Sequence, residues 1–188
     1  MPNNTELEEL LDKQRISEVV GPRYARAMDY LDGEALKACF HKDGWIEATF
    51  LQKIGLEGLD YVTDGDWVKA SAHDWIDVVV GLQATSIHRF HYVFNTGIRI
   101  NGNFADVESN AFAGDRRKDD DGALNDSFYG SRYVDKLEKR GGEWKILVRR
   151  TPLEWVQSFP TLGGPDSPLQ VFTLISGLSP SHPLYCRL

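Results

Sequence analysis

The stretch Phe90-His91-Tyr92-Val93-Phe94-Asn95-Thr96-Gly97-Ile98-Arg99-Ile100-Asn101-Gly102-Asn103-Phe104 decides the fold class. Phe90 to Ile100 is crowded with β-branched and aromatic residues, which suit a pleated, half-buried surface. Asn101-Gly102 is the strongest short hairpin signal, because both residue types accept the positive φ of a tight primed turn. The chain therefore turns back, and Phe104 to Asp115 reads as the next strand. Asp119-Asp120-Asp121-Gly122 reads as an exposed loop. Asp126 to Glu138 and Glu143 to Thr151 then form a further hairpin around Arg140-Gly141-Gly142. These segments make a four-strand antiparallel meander.

Helical signals dominate upstream of it. Thr5-Glu6-Leu7-Glu8 has the form of a capping box, and Ile16, Val20, Tyr24, Ala27 and Leu31 continue as one apolar stripe. Gly21-Pro22 interrupts that stripe, and proline inside a helix removes a hydrogen bond, so two helical pieces or one bent helix are expected, ending near Leu31. Asp32-Gly33 caps a short second helix, Glu34 to Phe40. Trp45 to Leu51 reads as a strand and Gly55 to Gly58 as a turn. Val68, Ala72, Trp75, Val79 and Leu82 predict another long helix over Trp67 to Leu82, with Asp64-Gly65-Asp66 before it. Helices come first and strands are bunched later, which argues α+β rather than a parallel α/β sheet. After Thr151 the regular pattern dissolves. Pro160 to Pro183 is rich in Pro, Gly, Ser and Leu yet too apolar for plain disorder, so a tail that folds over the domain or a neighbouring subunit is expected. The organisation is thus a domain over 1–155 and a tail over 156–188.

A chain of 188 residues, 41% hydrophobic and 26% charged, has the composition of one ordinary globular domain with room for an internal cavity. Its net charge of −7 argues against a nucleic-acid partner, which needs a basic face. Arg116-Arg117-Lys118 and Lys136 to Arg140 read as solvated hairpin ends. Cys39 and Cys186 lie far apart and form no disulfide framework. Met1 to Lys13 is too polar for a signal peptide, and no apolar run approaches the roughly 20 residues that span a bilayer, so no membrane partner and a cytoplasmic location are expected.

Few residues could carry chemistry. Asp29 lies near the end of the first helical region, where it is either a surface acid or a pocket carboxylate poised to orient a histidine. His88 and His91 are three apart, so on a strand they face opposite ways, and at most one enters a given cavity. That spacing also argues against a metal site. A strand histidine is a hydrogen-bonded core residue or, if it faces substrate, a ready general acid or base. Arg149 and Arg150 also point oppositely, and whichever is inward needs an anion. Tyr24 is a core aromatic or a donor to a developing oxyanion. Gly55-Leu56-Glu57-Gly58 lacks the Lys-Ser/Thr of a phosphate loop, and no dinucleotide fingerprint, zinc spacing or nucleophile elbow is present. No cofactor and no metal are expected.

Tyr24-Ala25-Arg26-Ala27-Met28-Asp29, the run Leu36 to Gly44, His91-x-x-x-Asn95 with Ile98 to Ala105, and Tyr133-x-Asp135-x-Leu137-Glu138 with Trp144-Lys145-Ile146-x-x-Arg149 stand in one order. With Trp155 beyond them, they resemble SnoaL-like members of the nuclear transport factor 2 superfamily over Leu7 to Trp155. That resemblance implies a cone: a strongly curved antiparallel sheet wrapped over helices around a deep pocket. The subgroup most resembled contains scytalone dehydratase, hexachlorocyclohexane dehydrochlorinase and bile-acid 7α-dehydratase, which are cofactor-free eliminating enzymes. It implies Asp29 and His91 as the acid–base pair, with Tyr24 and Arg149 stabilising developing charge. Met28, Trp45, Phe50, His88, Asn110 and Thr151 are the pocket candidates. The implied function is a lyase, by dehydration, related elimination or retro-aldol cleavage, acting on a bulky apolar small molecule, aromatic ones included. A non-catalytic binding module and a cofactor-free isomerase or cyclase are the alternatives. The resemblance also implies a homo-oligomer, trimer or dimer, formed through the outer face of the sheet.

Overall fold

The computed structural model describes residues 4–49, 59–161 and 181. It is an α+β fold in which N-terminal helices pack into a large, curved, open sheet. Helix α1 spans Asn4–Glu18, α2 Tyr24–Asp29, and α3 Gly33–Ala38. Strand β1 (Phe40–Ala48) is followed by a hairpin of β2 (Tyr61–Asp64) and β3 (Trp67–Ser71), then by α4 (Ala72–Ala84). The remaining strands are β4 (His88–Asn101), β5 (Phe104–Lys118), β6 (Leu124–Arg140), β7 (Glu143–Thr151) and β8 (Leu153–Pro160). Their order is β2-β3-β1-β7-β6-β5-β4, with β8 paired to β6. All neighbours run antiparallel except β1 and β7, which are parallel.

The proline in the first helical region is absorbed rather than allowed to break the axis. Val19–Arg23 forms a π turn that joins α1 to α2. The Tyr24 amide turns to the carbonyl of Gly21, and the carbonyl of Val20 accepts instead from Nη2 of Arg149 at 3.1 Å. Leu31, at φ 58°, stops the helix, and the Asp32 carboxylate caps α3 by accepting from the Ala35 amide at 3.0 Å.

The expected hairpin forms one residue along: Asn101 pairs with Phe104, so the turn residues are Gly102-Asn103, and of these Gly102 takes the positive φ, 60°. Register then runs without interruption from Phe104↔Glu138 to Lys118↔Leu124 between β5 and β6. Between β4 and β5 a bulge intervenes between Phe94 and Gly97, with Asn95 at φ 54°.

Several sequence expectations are corrected. The helix read over Trp67 to Leu82 is a strand followed by a helix. Val68 and Ala70 alternate into the core as strand residues, and Ser71 caps α4 through the Asp74 amide. Val68 sat on the helical stripe by coincidence of spacing. Asp64-Gly65-Asp66 is the β2–β3 turn, with Gly65 at φ 57°. The strand read from Trp45 begins at Phe40, one residue after the C-cap of α3. Regular structure continues past Thr151: the chain turns at Pro152 and β8 pairs with β6 from Ser131↔Leu153 to Asn125↔Pro160. Strands β7 and β8 thereby share one edge of the long β6, and β8 crosses the expected 155/156 boundary. Leu51, the Gly55–Gly58 turn and the tail over 162–180 lie outside the described residues.

The core lies between the helices and the concave face of the sheet, around Ile16, Val20, Leu36, Ile76, Leu137 and Ile146, all at most 1% exposed. The opposite face carries an aromatic row: Phe90, Tyr92, Phe112, Phe128, Trp155 and Phe159 in mutual ring contact. Among the described residues no helix is long and apolar enough to cross a membrane.

Candidate active site

Asp29 is the last residue of α2, at the end of the helical run begun by α1. A carboxylate there opposes the negative end of the helix dipole, an arrangement that needs compensation. Arg89, 5% exposed, provides it: Nη1 donates to the Asp29 carbonyl at 3.0 Å, Nε to the Gln83 carbonyl at 3.1 Å and Nη2 to that of Ser86 at 3.1 Å. One guanidinium therefore ties the end of α2 to the end of α4.

Opposite, on β4, His91 meets Asp29. Nδ1 of the imidazole lies 2.8 Å from Oδ1 of the carboxylate, and the two side chains are 9% and 21% exposed. With Nδ1–H donating a hydrogen bond to the Asp29 carboxylate, the Nε2 lone pair is left on the other side of the ring. His91 lines a cavity of about 520 Å³ enclosed by the concave sheet, α2 and α4. Met28, Ile46, Trp75 and Val79 supply its apolar wall, and Tyr24 and Tyr133 its aromatic one.

Tyr24 is packed edge-on to Tyr133, with ring centroids 5.7 Å apart. Burial raises its phenol above the ordinary value, against the pull of Arg149, so it is held as a donor. Burial likewise raises Tyr133.

Arg149 is fully buried but is not part of the cavity lining. Its Nε and Nη2 grip the buried Asp135 carboxylate at 2.8 and 2.7 Å, and its guanidinium is sandwiched between Tyr24 and Tyr133 at 4.0 and 4.1 Å from their centroids. Burial disfavours this charge, yet Asp135 holds its pKa above the ordinary arginine value. Sequence reasoning asked for an inward arginine with an anion, and it has one. The anion belongs to the protein, so Arg149 braces the Tyr24 ring rather than facing the cavity.

The other candidates divide. Met28 and Thr151 line the cavity. His88 is exposed on the opposite face of the sheet, and Asn110 shares that face, opposite Phe94. Trp45 is 41% exposed beneath Lys69, because β1 turns its neighbour Ile46 inward. Phe50 lies outside the described residues.

A polar cluster that sequence reasoning missed completes the cavity. Asp115, Arg117 and Tyr129 line it, as does Gln83. Asp115, 7% exposed, accepts from Ser86 Oγ at 3.1 Å, from Tyr129 at 3.3 Å and from Nε of Arg117. Arg117 was read as a solvated hairpin end. Its side chain is 43% exposed, yet its Nε turns back to Asp115, whereas Arg116 on the other face is bound to Asp126 at 2.6 and 2.9 Å. The signal was alternation: Ala111, Ala113, Asp115 and Arg117 share one face of β5, and the small alanines make the room that the polar pair borders. A broader groove of about 810 Å³ on the outer sheet face is bordered by charges of both signs, among them Arg99, Glu108, Lys136 and Arg150. Among the described residues, no three His, Cys, Asp or Glu side chains are placed to hold a metal ion.

This geometry has relatives. Residues 8–150 match the SnoaL-like domain. The chain belongs to that family. Comparison with curated protein sequences finds no match. Among solved structures, a Novosphingobium aromaticivorans protein named for scytalone dehydratase is 18% identical, with a TM-score of 0.62 over 80% of this chain and 89% of that one. LinA is 15% identical, with a TM-score of 0.62 over 86% and 97%. A second LinA structure, described as hexachlorocyclohexane dehydrochlorinase type 2, is 14% identical, with a TM-score of 0.61 over the same shares. A Kribbella flavida protein is 13% identical, with a TM-score of 0.64 over 79% and 95%. At these identities the likeness is one of fold. This SnoaL-like chain shares its fold with neighbours that include an enzyme named for dehydrochlorination.

Proposed function

We propose that this SnoaL-like protein is a cofactor-independent lyase that eliminates water or halide from a largely apolar, ring-containing small molecule. The observation that carries the reading is the 2.8 Å contact between Asp29 and His91, with His91 on the wall of a largely apolar cavity. A binding module has no need of a carboxylate held against a helix dipole to orient one imidazole. Elimination has that need. Nε2 of His91 takes a proton from carbon, the C–H electron pair becomes the new double bond, and the leaving group departs with its own pair. Asp29 stabilises the imidazolium so formed. Tyr24, kept protonated by burial, donates toward the charge that develops on oxygen or on the leaving group. The reaction balances between His91 and substrate, so it calls for no external oxidant or reductant. The names borne by LinA and by the Novosphingobium protein favour the same class.

The test is a screen of hydroxylated and halogenated ring compounds for loss of water or halide by mass spectrometry, with Asp29→Asn and His91→Gln alongside. General-base catalysis contributes about 10²–10⁴-fold, so turnover should fall by that factor in His91→Gln while circular dichroism is unchanged. Elimination that persists undiminished in both variants refutes the proposal.

A further inference from the structure

The cavity has a second polar end that the acid–base pair does not use. Arg117 reaches it from β5, two residues beyond Asp115 on the same face. Its Nε is committed to Asp115, and its side chain is 43% exposed, which places it at the mouth. Among the described residues its two terminal nitrogens have no protein partner. Asp115 also accepts from Ser86 and Tyr129 and takes only Nε of Arg117, so it fixes the guanidinium without consuming its outer edge. Tyr129 stays a donor, because burial and the Asp115 charge raise its phenol. An apolar cavity with a forked cation at its mouth suits a ligand with a polar end.

We propose that Arg117 is a substrate-recognition residue, and that the molecule this cavity takes is a ring-containing organic acid whose carboxylate sits on the outer edge of the Arg117 guanidinium. A guanidinium presents parallel N–H groups that match a carboxylate in bidentate fashion. The geometry sets the length of the substrate. His91 lies opposite Ala113, and Asp115, toward which Arg117 leans, is one two-residue step further along β5, roughly 7 Å. One substituted aromatic ring bridges that span. The acid group then lies at the mouth, the ring lies against Met28, Trp75 and Val79, and the far carbon comes to His91. The orientation rests on His91 being the reactive end. Recognition of the acid by Arg117 does not.

Two probes test it: naphthalene-2-carboxylate and the neutral naphthalene-2-carboxamide, titrated calorimetrically against the full chain at low salt. The wild type should bind the acid at least about tenfold tighter than the amide, as charge-assisted hydrogen bonds allow. Arg117→Gln should lower acid affinity to that of the amide while leaving amide affinity unchanged, which also shows the cavity intact. Arg117→Lys should keep part of the preference. Equal binding of acid and amide by the wild type, binding of neither, or a preference that survives Arg117→Gln overturns the inference. His91→Gln separates it from the lyase reading. An acid preference that is kept in a protein with no His91-dependent elimination upholds Arg117 and refutes the catalytic proposal.

Discussion

Replacing Arg149 by methionine should cost this protein stability before anything else. Arg149 and Asp135 are each 0% exposed, joined by hydrogen bonds of 2.8 and 2.7 Å. Taking two charges out of water is expensive, and only their mutual attraction and hydrogen bonds repay it. In Arg149→Met the Asp135 carboxylate stays buried with its partner gone, a loss of about 3–5 kcal/mol in comparable buried pairs. The Val20 carbonyl and the two tyrosine rings also lose their contact with the guanidinium. For a chain of this size each kcal/mol moves the melting temperature by about 2–4 °C, so a fall of roughly 6–20 °C is expected. Urea unfolding followed by tryptophan fluorescence measures the loss directly. The double replacement Arg149→Met with Asp135→Leu removes both charges and should be markedly more stable than Arg149→Met alone. If Arg149→Met unfolds within about 1 kcal/mol of wild type, well below the buried-pair cost, the pair does not brace the core as argued. If the double variant loses as much as the sum of the single changes, the uncompensated-charge argument fails.

Other outcomes are expected from the same structure. Arg116 holds the Asp126 carboxyl below the ordinary aspartate value. A depressed folded pKa stabilises above the unfolded value of about 3.9 and loses that contribution as pH falls through the lower folded value. The stability gap between wild type and Asp126→Asn should thus be about 1 kcal/mol at neutral pH and close in acid, and a gap that widens in acid contradicts it. A Cβ on Gly130 would overlap the Trp155 indole that lies flat on it, so Gly130→Ala should displace that ring at a cost of about 1–3 kcal/mol. Near-ultraviolet circular dichroism reports the displacement, and an unaltered spectrum would show that the ring is not held there. Self-association through the outer face would cover Tyr92 and Trp155, 60% and 50% exposed. Light scattering should then give at least twice the 21.2 kDa chain mass, reduced by Tyr92→Glu, whereas a wild-type monomer at micromolar concentration removes the expectation.

Local chemistry made much of this molecule legible in advance. Gly102 and the Gly141-Gly142 pair announce hairpins because their backbones accept positive φ, and those turns set the meander. Asp32 announces a helix cap because its carboxylate reaches the Ala35 amide within one turn. What stayed hidden depends on contacts far apart in the chain. Val68 fits a helical stripe and a buried strand face equally well, and only pairing with β1 and β2 chooses the strand. The inward faces of β4 show the same limit most sharply. Ile98 and Ile100 point to the core, so unbroken alternation would turn His88 inward and His91 out. The bulge at Asn95 inserts one extra residue against β5 and reverses that parity, which delivers His91 to Asp29 and leaves His88 in solvent. Resemblance named the two residues. The pairing of β4 with β5 is what brings them within 2.8 Å, because a strand's faces are assigned by register with its neighbour and not by its own sequence.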